Sequence, residues 1–359
     1  MEIKEFKAPS YRELRPLRPL KDITTDTFPV YQDLVGKLVA AKFDPEHRDE
    51  VVAHVMGTCA GYAYSDGQTV AMIMARLGLE DNNCRMIAED VDIMFITSTS
   101  FLIQSKDGKV VILCYRGTPL TSLITWLTNG EVDPVKINIP FFNGSPEDYV
   151  HGGYYRNVRS TRYEIVRALQ RAIDGRSVLD VREDDAKMPN ALEALYITGH
   201  SLGGASAAML AIMLLTDPLY NPIVSKLKAV YTFGQPMITS PQLAEKCNAN
   251  DFLRERVIRY VYENDIGPQL PPTESGAFRH FGTEYQYKSK GDGGTWNLNK
   301  EPRKQLSSLL ELVANPLSFL ARQFKLTRNL PFHASVEDHL PQYYIAALTP
   351  PGVRSEFGD

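Results

Sequence analysis

The sequence predicts an α/β fold with a mostly parallel central sheet covered by helices, and two observations predict it. Short apolar runs at 195–198, 229–233 and 257–262 recur with helix-compatible sequence between them, the alternation expected when each parallel strand is followed by a crossover helix. The stretch LYITGHSLGGAS (195–206) passes from such a run into Gly-His-Ser-Leu-Gly-Gly with no ordinary turn. That reads as a sharp strand-to-helix corner with Ser201 at its apex.

Taken in order, residues 1–45 hold five prolines and scattered charge, which suits an arm laid over a core better than an independent domain. From 48 to 77, small and apolar residues in VVAHVMGTCAGYAY and VAMIMARLGL give helical spacing. Runs at 101–104 and 110–115, separated by Asp107-Gly108, read as a hairpin entering the sheet. After a loop-rich stretch with Pro134, Pro140 and Pro146, the spacing of Val158, Ile165, Leu169 and Ile173 predicts a helix over 154–173. Ala205 to Leu214 continue the corner at Ser201 as a helix, and 340–348 reads as a final helix. The segment RKQLSSLLELVANPLSFLARQFKLTR, within 300–330, has helically spaced apolar residues and basic ends. It predicts a helical cover packed on the sheet, with a membrane-surface element as the alternative. The whole is expected to be one domain spanning 1–359.

Composition narrows the function. The 359 residues are 43% apolar and 23% charged, ordinary for a globular chain. A formal charge of −4 with no long basic run gives no reason to expect nucleic acid. Cys59, Cys84, Cys114 and Cys247 lie far apart with no CxxC pair, and the seven histidines form no HExxH, so the cysteines read as reduced and no metal site or cofactor is expected. No run reaches the roughly 18 apolar residues of a membrane-spanning helix. The start lacks the apolar segment of a secretory signal, leaving a cytoplasmic chain, or one exported without a visible signal, as the expectation.

A chance G-x-S-x-G is common enough to be weak evidence alone, but here an apolar run precedes it and a helix follows. Gly199 and Gly203 flank the corner where side chains would collide, which exposes the Ser201 hydroxyl at the sheet's carboxyl edge. Serine at its free pKa is a poor nucleophile and needs a base oriented by a carboxylate. Downstream, RVIRYVYENDIGPQLPP ends a strand in a loop carrying Glu263 and Asp265, with Asp265 on the same edge as Ser201. Two histidines follow in LPFHASVEDHLPQYYIAAL. His339 directly precedes the final helix, and His333 is the rival.

These residues resemble the class 3 (fungal-type) triacylglycerol lipases. Gly199-His200-Ser201-Leu202-Gly203-Gly204-Ala205 is similar to that family's elbow, and Cys114-Tyr115-Arg116-Gly117-Thr118 to its oxyanion strand. Further matches are Val150-His151-Gly152-Gly153-Tyr154, Thr232-Phe233-Gly234-Gln235-Pro236, Asn264-Asp265 with Leu270-Pro271, and His339 with Tyr343. The resemblance implies an α/β-hydrolase fold with a lid helix and hydrolysis of lipid esters through an acyl-serine. It makes Ser201 the nucleophile, Asp265 the orienting acid and His339 the base. Thr118 and Leu202 become the oxyanion donors, and Arg116 and His280 are non-catalytic. Gly267 stands where the family usually has valine, and Asn129 where many members have a lid aspartate.

The same resemblance makes PLTSLITWLTNG (119–130) a mobile lid, with Leu120, Leu123, Ile124, Trp126 and Leu127 on one apolar, substrate-facing side. It implies a lipid ester met at a lipid–water interface, transient contact with a membrane surface and no obligate protein partner. A phospholipase or short-chain esterase is the alternative among enzymes. A lipase-like regulatory protein that keeps the fold without needing the chemistry is the alternative of another class.

Overall fold

The computed structural model describes residues 2–7, 29–91, 96–118, 134–135, 145, 147–180, 187–290, 293–307 and 335–353. In chain order their strands are β1 (Glu2–Lys7), β2 (Asn83–Val91), β3 (Ile96–Gln104), β4 (Val110–Tyr115), β5 (Pro134–Val135), β6 (Val150–His151), β7 (Ala194–His200), β8 (Leu227–Phe233), β9 (Val257–Tyr262), β10 (Thr283–Lys290) and β11 (Gly293–Asn299). The helices are α1 (Leu34–Ala40), α2 (Glu50–Tyr62), α3 (Gly67–Leu77), α4 (Gly152–Ile173), α5 (Leu202–Thr216), α6 (Asn221–Val224), α7 (Pro241–Ala249), α8 (Asp251–Arg256) and α9 (Pro341–Leu348).

Nine strands form one sheet in the order β1-β2-β3-β4-β7-β8-β9-β10-β11, and β5 pairs with β6 apart from it. The five central strands, β4 to β10 in that order, are parallel, while the flanking pairs are antiparallel. Strand β4, VVILCY, is buried at every position, as expected for a strand covered on both faces. Val111, Leu113 and Tyr115 join the cluster under α4 and α5. Val110, Ile112 and Cys114 point the other way, into the cluster under α2, α3 and α9. Helix α5 is accordingly apolar and buried from Leu202 to Leu214.

The proline-rich arm is more structured than the composition suggests. Residues 2–7 add the edge strand β1 to β2, α1 lies within the second core cluster, and residues 8–28 lie outside the described set. The helical stretch 48–77 divides into two helices, capped by the Asp49 and Asp66 carboxylates, which accept from the Val52 and Thr69 amides. Of the proposed 300–330 cover, 300–307 contain no helix and 308–334 are outside the described residues. All four cysteines are buried and free.

Buried histidines give the fold an acid limit. Burial lowers the pKa of His54 to about 4 and of His151 to about 3, and holds His200 and His280 well below the usual value. Below about 6.5 the unfolded chain takes up protons that these folded rings refuse, so stability is full above that pH and declines as pH falls toward about 4. The melting temperature is therefore expected to fall steadily between pH 7 and pH 4. A flat or rising profile over that range would contradict this.

Candidate active site

The carboxyl ends of β4, β7, β8 and β9 meet at one edge of the sheet. Ser201 sits there between β7 and α5 with φ 57 and ψ −128, a conformation that costs energy for a non-glycine residue and is held only by its surroundings. The Ser201 N–H donates to the Phe233 carbonyl at 2.8 Å and the Ser201 carbonyl accepts from Ala205 at 3.1 Å. A Cβ on Gly199 would collide with the Gly203 backbone, and one on Gly203 with the Tyr115 carbonyl. Both positions therefore require glycine for the strand and helix to meet.

His339 lies in a short 3-10 turn just ahead of α9. The chain at Ser335 pairs with the loop after β9, through Ser335 N–H to Asn264 O at 2.6 Å and Ile266 N–H to Ser335 O at 3.1 Å. The Asn264 N–H also donates to the Asp338 carboxylate at 3.1 Å. These bonds fix the Asp265 loop against the His339 turn, although the two residues lie 74 positions apart in sequence.

The structure brings Ser201, His339 and Asp265 together. His339 Nδ1 is 2.8 Å and 3.0 Å from the two Asp265 carboxylate oxygens, and its Nε2 is 2.7 Å from Ser201 Oγ. A carboxylate only accepts, so the ring proton sits on Nδ1 and Nε2 is left to accept from the serine hydroxyl. All three residues are buried.

Asp265 accepts two further hydrogen bonds, from the Gly267 N–H at 2.7 Å and the Tyr344 hydroxyl at 2.5 Å. The tyrosine at the carboxylate is thus Tyr344, the residue after the Tyr343 of the family match. Tyr343 donates instead to Glu337 at 3.0 Å. Gly267 has a steric role of its own, since a Cβ there would lie 2.5 Å from His339 Nδ1.

Two residues that the sequence reading missed support the histidine. His200 Nε2 lies 2.7 Å from the His339 carbonyl oxygen, and His200 Nδ1 lies 2.8 Å from the Tyr64 hydroxyl. The carbonyl fixes the proton on Nε2, so Tyr64 donates to Nδ1. Burial, with the nearby His339 next, keeps His200 neutral. The clue was the side chain beside the nucleophile in Gly-His-Ser, but its partner Tyr64 is 136 positions away.

Leu202 is the first residue of α5, so its N–H has no acceptor within the helix and lies at the positive end of the helix dipole. Thr118 is half-buried, three residues past the end of β4. Gly117 between them packs on the Tyr64 hydroxyl and the His200 carbonyl, leaving no room for a Cβ, which sets Thr118 beside the elbow. Arg116 ties β4 down through its N–H to Thr99 O at 2.9 Å and its guanidinium to Tyr64 O at 2.5 Å. His280 donates from Nε2 to the Pro268 carbonyl at 2.8 Å and does not reach the three. Leu120, Leu123, Ile124, Trp126, Leu127, Asn129 and His333 lie outside the described residues. Among the described residues no group of three His, Cys, Asp or Glu side chains is placed to hold a metal ion.

The chain is similar to known lipases in sequence and in fold. Residues 112–275 match the family model for lipase (class 3). The triacylglycerol lipase OBL1 of Ricinus communis is 27% identical over 219 residues, covering 53% of this chain and 40% of that protein. A lipase of Rhizomucor miehei is 28% identical over 191 residues, covering 53% of this chain and 45% of its own length. The chain thus aligns with less than half the length of these curated relatives. The solved Rhizomucor miehei triacylglyceride lipase superposes with a TM-score of 0.53 at 21% identity, covering 86% of this chain and 96% of that one, and shares the α/β-hydrolase fold.

Proposed function

We propose that this chain, whose residues 112–275 match the family model for lipase (class 3), hydrolyses carboxylic esters of lipids, triacylglycerols foremost, through an acyl-serine intermediate. The observation that carries the reading is the continuous set of hydrogen bonds from Asp265 through His339 to Ser201 Oγ, 2.8 Å and 2.7 Å long. The names of the curated relatives as triacylglycerol lipases support the substrate class.

In the acylation step Ser201 Oγ attacks the ester carbonyl while its proton passes to His339 Nε2. Asp265 holds the ring in the correct tautomer and stabilises the imidazolium that forms. The oxyanion is met by the N–H groups of Leu202 and Thr118, preorganised donors of the kind that contribute most where charge develops. His339 returns the proton to the leaving alcohol. Water then enters, gives a proton to His339 and releases the fatty acid from Ser201 as the proton goes back to the serine.

The reading is tested by titrating purified protein against emulsified trioleoylglycerol and a dissolved short-chain nitrophenyl ester. Release of fatty acid from the emulsion is the expected result. Activity on the dissolved ester alone would favour a short-chain esterase, and inactivity on both would favour a binding protein.

Gly267 supplies a sharper test of geometry. A methyl group at that position meets the His339 ring, which must move away from Ser201 or Asp265. The family that the sequence resembles usually has valine here, so the close approach belongs to this chain's own ring placement. Misplacement by about 1 Å costs on the order of a hundredfold in rate, and Gly267→Ala is expected to lower kcat by about 10-fold to 100-fold with the melting temperature and KM little changed. An unaltered kcat would show that the ring does not need its observed position.

A further inference from the structure

The first half of α4, GGYYRNVRSTRY, holds three arginines and no acidic residue. Its first turn contains no acid and its N-terminal residue has no side-chain cap. Arg156 is the fifth residue of the helix, so the three arginines follow its first turn and gather positive charge along the helix rather than at its end.

Position on the helix separates these arginines from those that follow. Arg167 and Arg171 pair with Glu164 and Asp180. Arg156, Arg159 and Arg162 form no ion pair with any described residue, and they fall on one side of the helix at three-residue intervals. Exposure along this side is uneven: Arg159 and Tyr163 are exposed, Arg156 and Arg162 are partly buried, and Tyr155 is partly buried against the core cluster under the helix. Arg159 lies over the Tyr155 ring at 5.9 Å, and Tyr163 is 75% exposed.

This half of α4 also lies at the edge of the sheet where Ser201 sits. His151, the residue before the helix, donates to Ile238 O at 2.9 Å in the loop after β8. Asn157, next to Arg156, donates to Ser206 Oγ at 2.7 Å, five residues along α5 from Ser201. Its carbonyl accepts from Ser98 at 2.9 Å, near the start of β3 at the same edge.

We propose that Arg156, Arg159 and Arg162, with the exposed Tyr163, form a docking face for a lipid surface that carries anionic phosphate head groups. The chain as a whole has a formal charge of −4, so an anionic surface repels most orientations and favours the one that turns this cationic strip toward it. Arginine presents a planar fork suited to phosphate oxygens, and tyrosine settles its ring at the head-group level. Docking there brings the Ser201 edge to the lipid. The proposal deepens the lipid-ester reading and rests on it for its purpose, but binding is measured without turnover, so the two fail separately.

The test is co-sedimentation of the full chain with phosphatidylcholine vesicles prepared with and without phosphatidylglycerol. Three variants are compared: wild type, Arg156→Gln/Arg159→Gln/Arg162→Gln, and the equally charge-reduced Lys109→Gln/Lys226→Gln/Lys228→Gln, whose changes lie at the opposite end of β4 and β8. Wild type should bind the anionic vesicles, weakening with salt, and the arginine variant should lose on the order of a hundredfold in affinity, roughly fivefold per arginine. The lysine variant should bind like wild type, and all three should share one melting temperature and one rate on a dissolved short-chain ester. Equal loss in both variants, binding indifferent to phosphatidylglycerol, or retention on heparin with no vesicle binding would each overturn the proposal.

Discussion

Ser201→Ala is expected to reduce ester hydrolysis by about 10⁴-fold to 10⁶-fold, the loss typical for a member of a catalytic triad. The hydroxyl is the group at the apex of the elbow that His339 Nε2 faces, at 2.7 Å. Its removal leaves a methyl group within the same backbone, so folding should be intact. His339→Ala should fall to a similar level, and the double variant little further, because residues acting as a unit are not additive. His333→Ala should be mild. Purified, folded Ser201→Ala retaining more than a tenth of the wild-type rate would remove the serine from the mechanism.

Asp265→Asn is expected to lower kcat by about 10⁴-fold through a different route. The carboxylate accepts from His339 Nδ1, Gly267 N and the Tyr344 hydroxyl, and an amide cannot accept at both of its ends. Turning its NH₂ toward His339 forces the ring proton onto Nε2, where it faces Ser201 and cannot take the hydroxyl proton. Turning it toward Tyr344 leaves the tyrosine hydroxyl opposed by a donor. Tyr344→Phe removes only one of the three donors and should cost about one kcal/mol, near the net value of a single hydrogen bond, or less than about tenfold in rate. A loss in Tyr344→Phe equal to that in Asp265→Asn would shift the orienting role onto the tyrosine.

Some of this was open to sequence reading because it is local. The elbow needs Gly199 and Gly203 at fixed offsets from Ser201, since backbone meets backbone there, and a fixed offset is visible in a string of residues. Asp265 was found because parallel strands deliver their loops to one edge, so a carboxylate just past the apolar run 257–262 has a predictable place. Strands β2 and β10 escape the apolar pattern because charge breaks it. Arg85 is buried in β2 with Glu164, 79 positions away, at 2.8 Å and the Val178 carbonyl, 93 away, at 3.0 Å. Glu284 is buried in β10 by Arg259 and Arg303, at 2.6 Å and 2.7 Å. No local window contains those partners. The same limit hid His200 with Tyr64 and Tyr344 with Asp265.

The central claim is that Ser201 is the nucleophile, made reactive by His339 and Asp265. The most direct measurement is reaction of the full chain with an alkyl fluorophosphonate, followed by peptide mass spectrometry and assay of the same sample. The account predicts one adduct, on the peptide carrying Ser201, with hydrolysis lost in proportion to labelling and labelling greatly slowed in His339→Ala. Complete inhibition with Ser201 unmodified, or labelling of Ser201 that leaves hydrolysis unchanged, would contradict it.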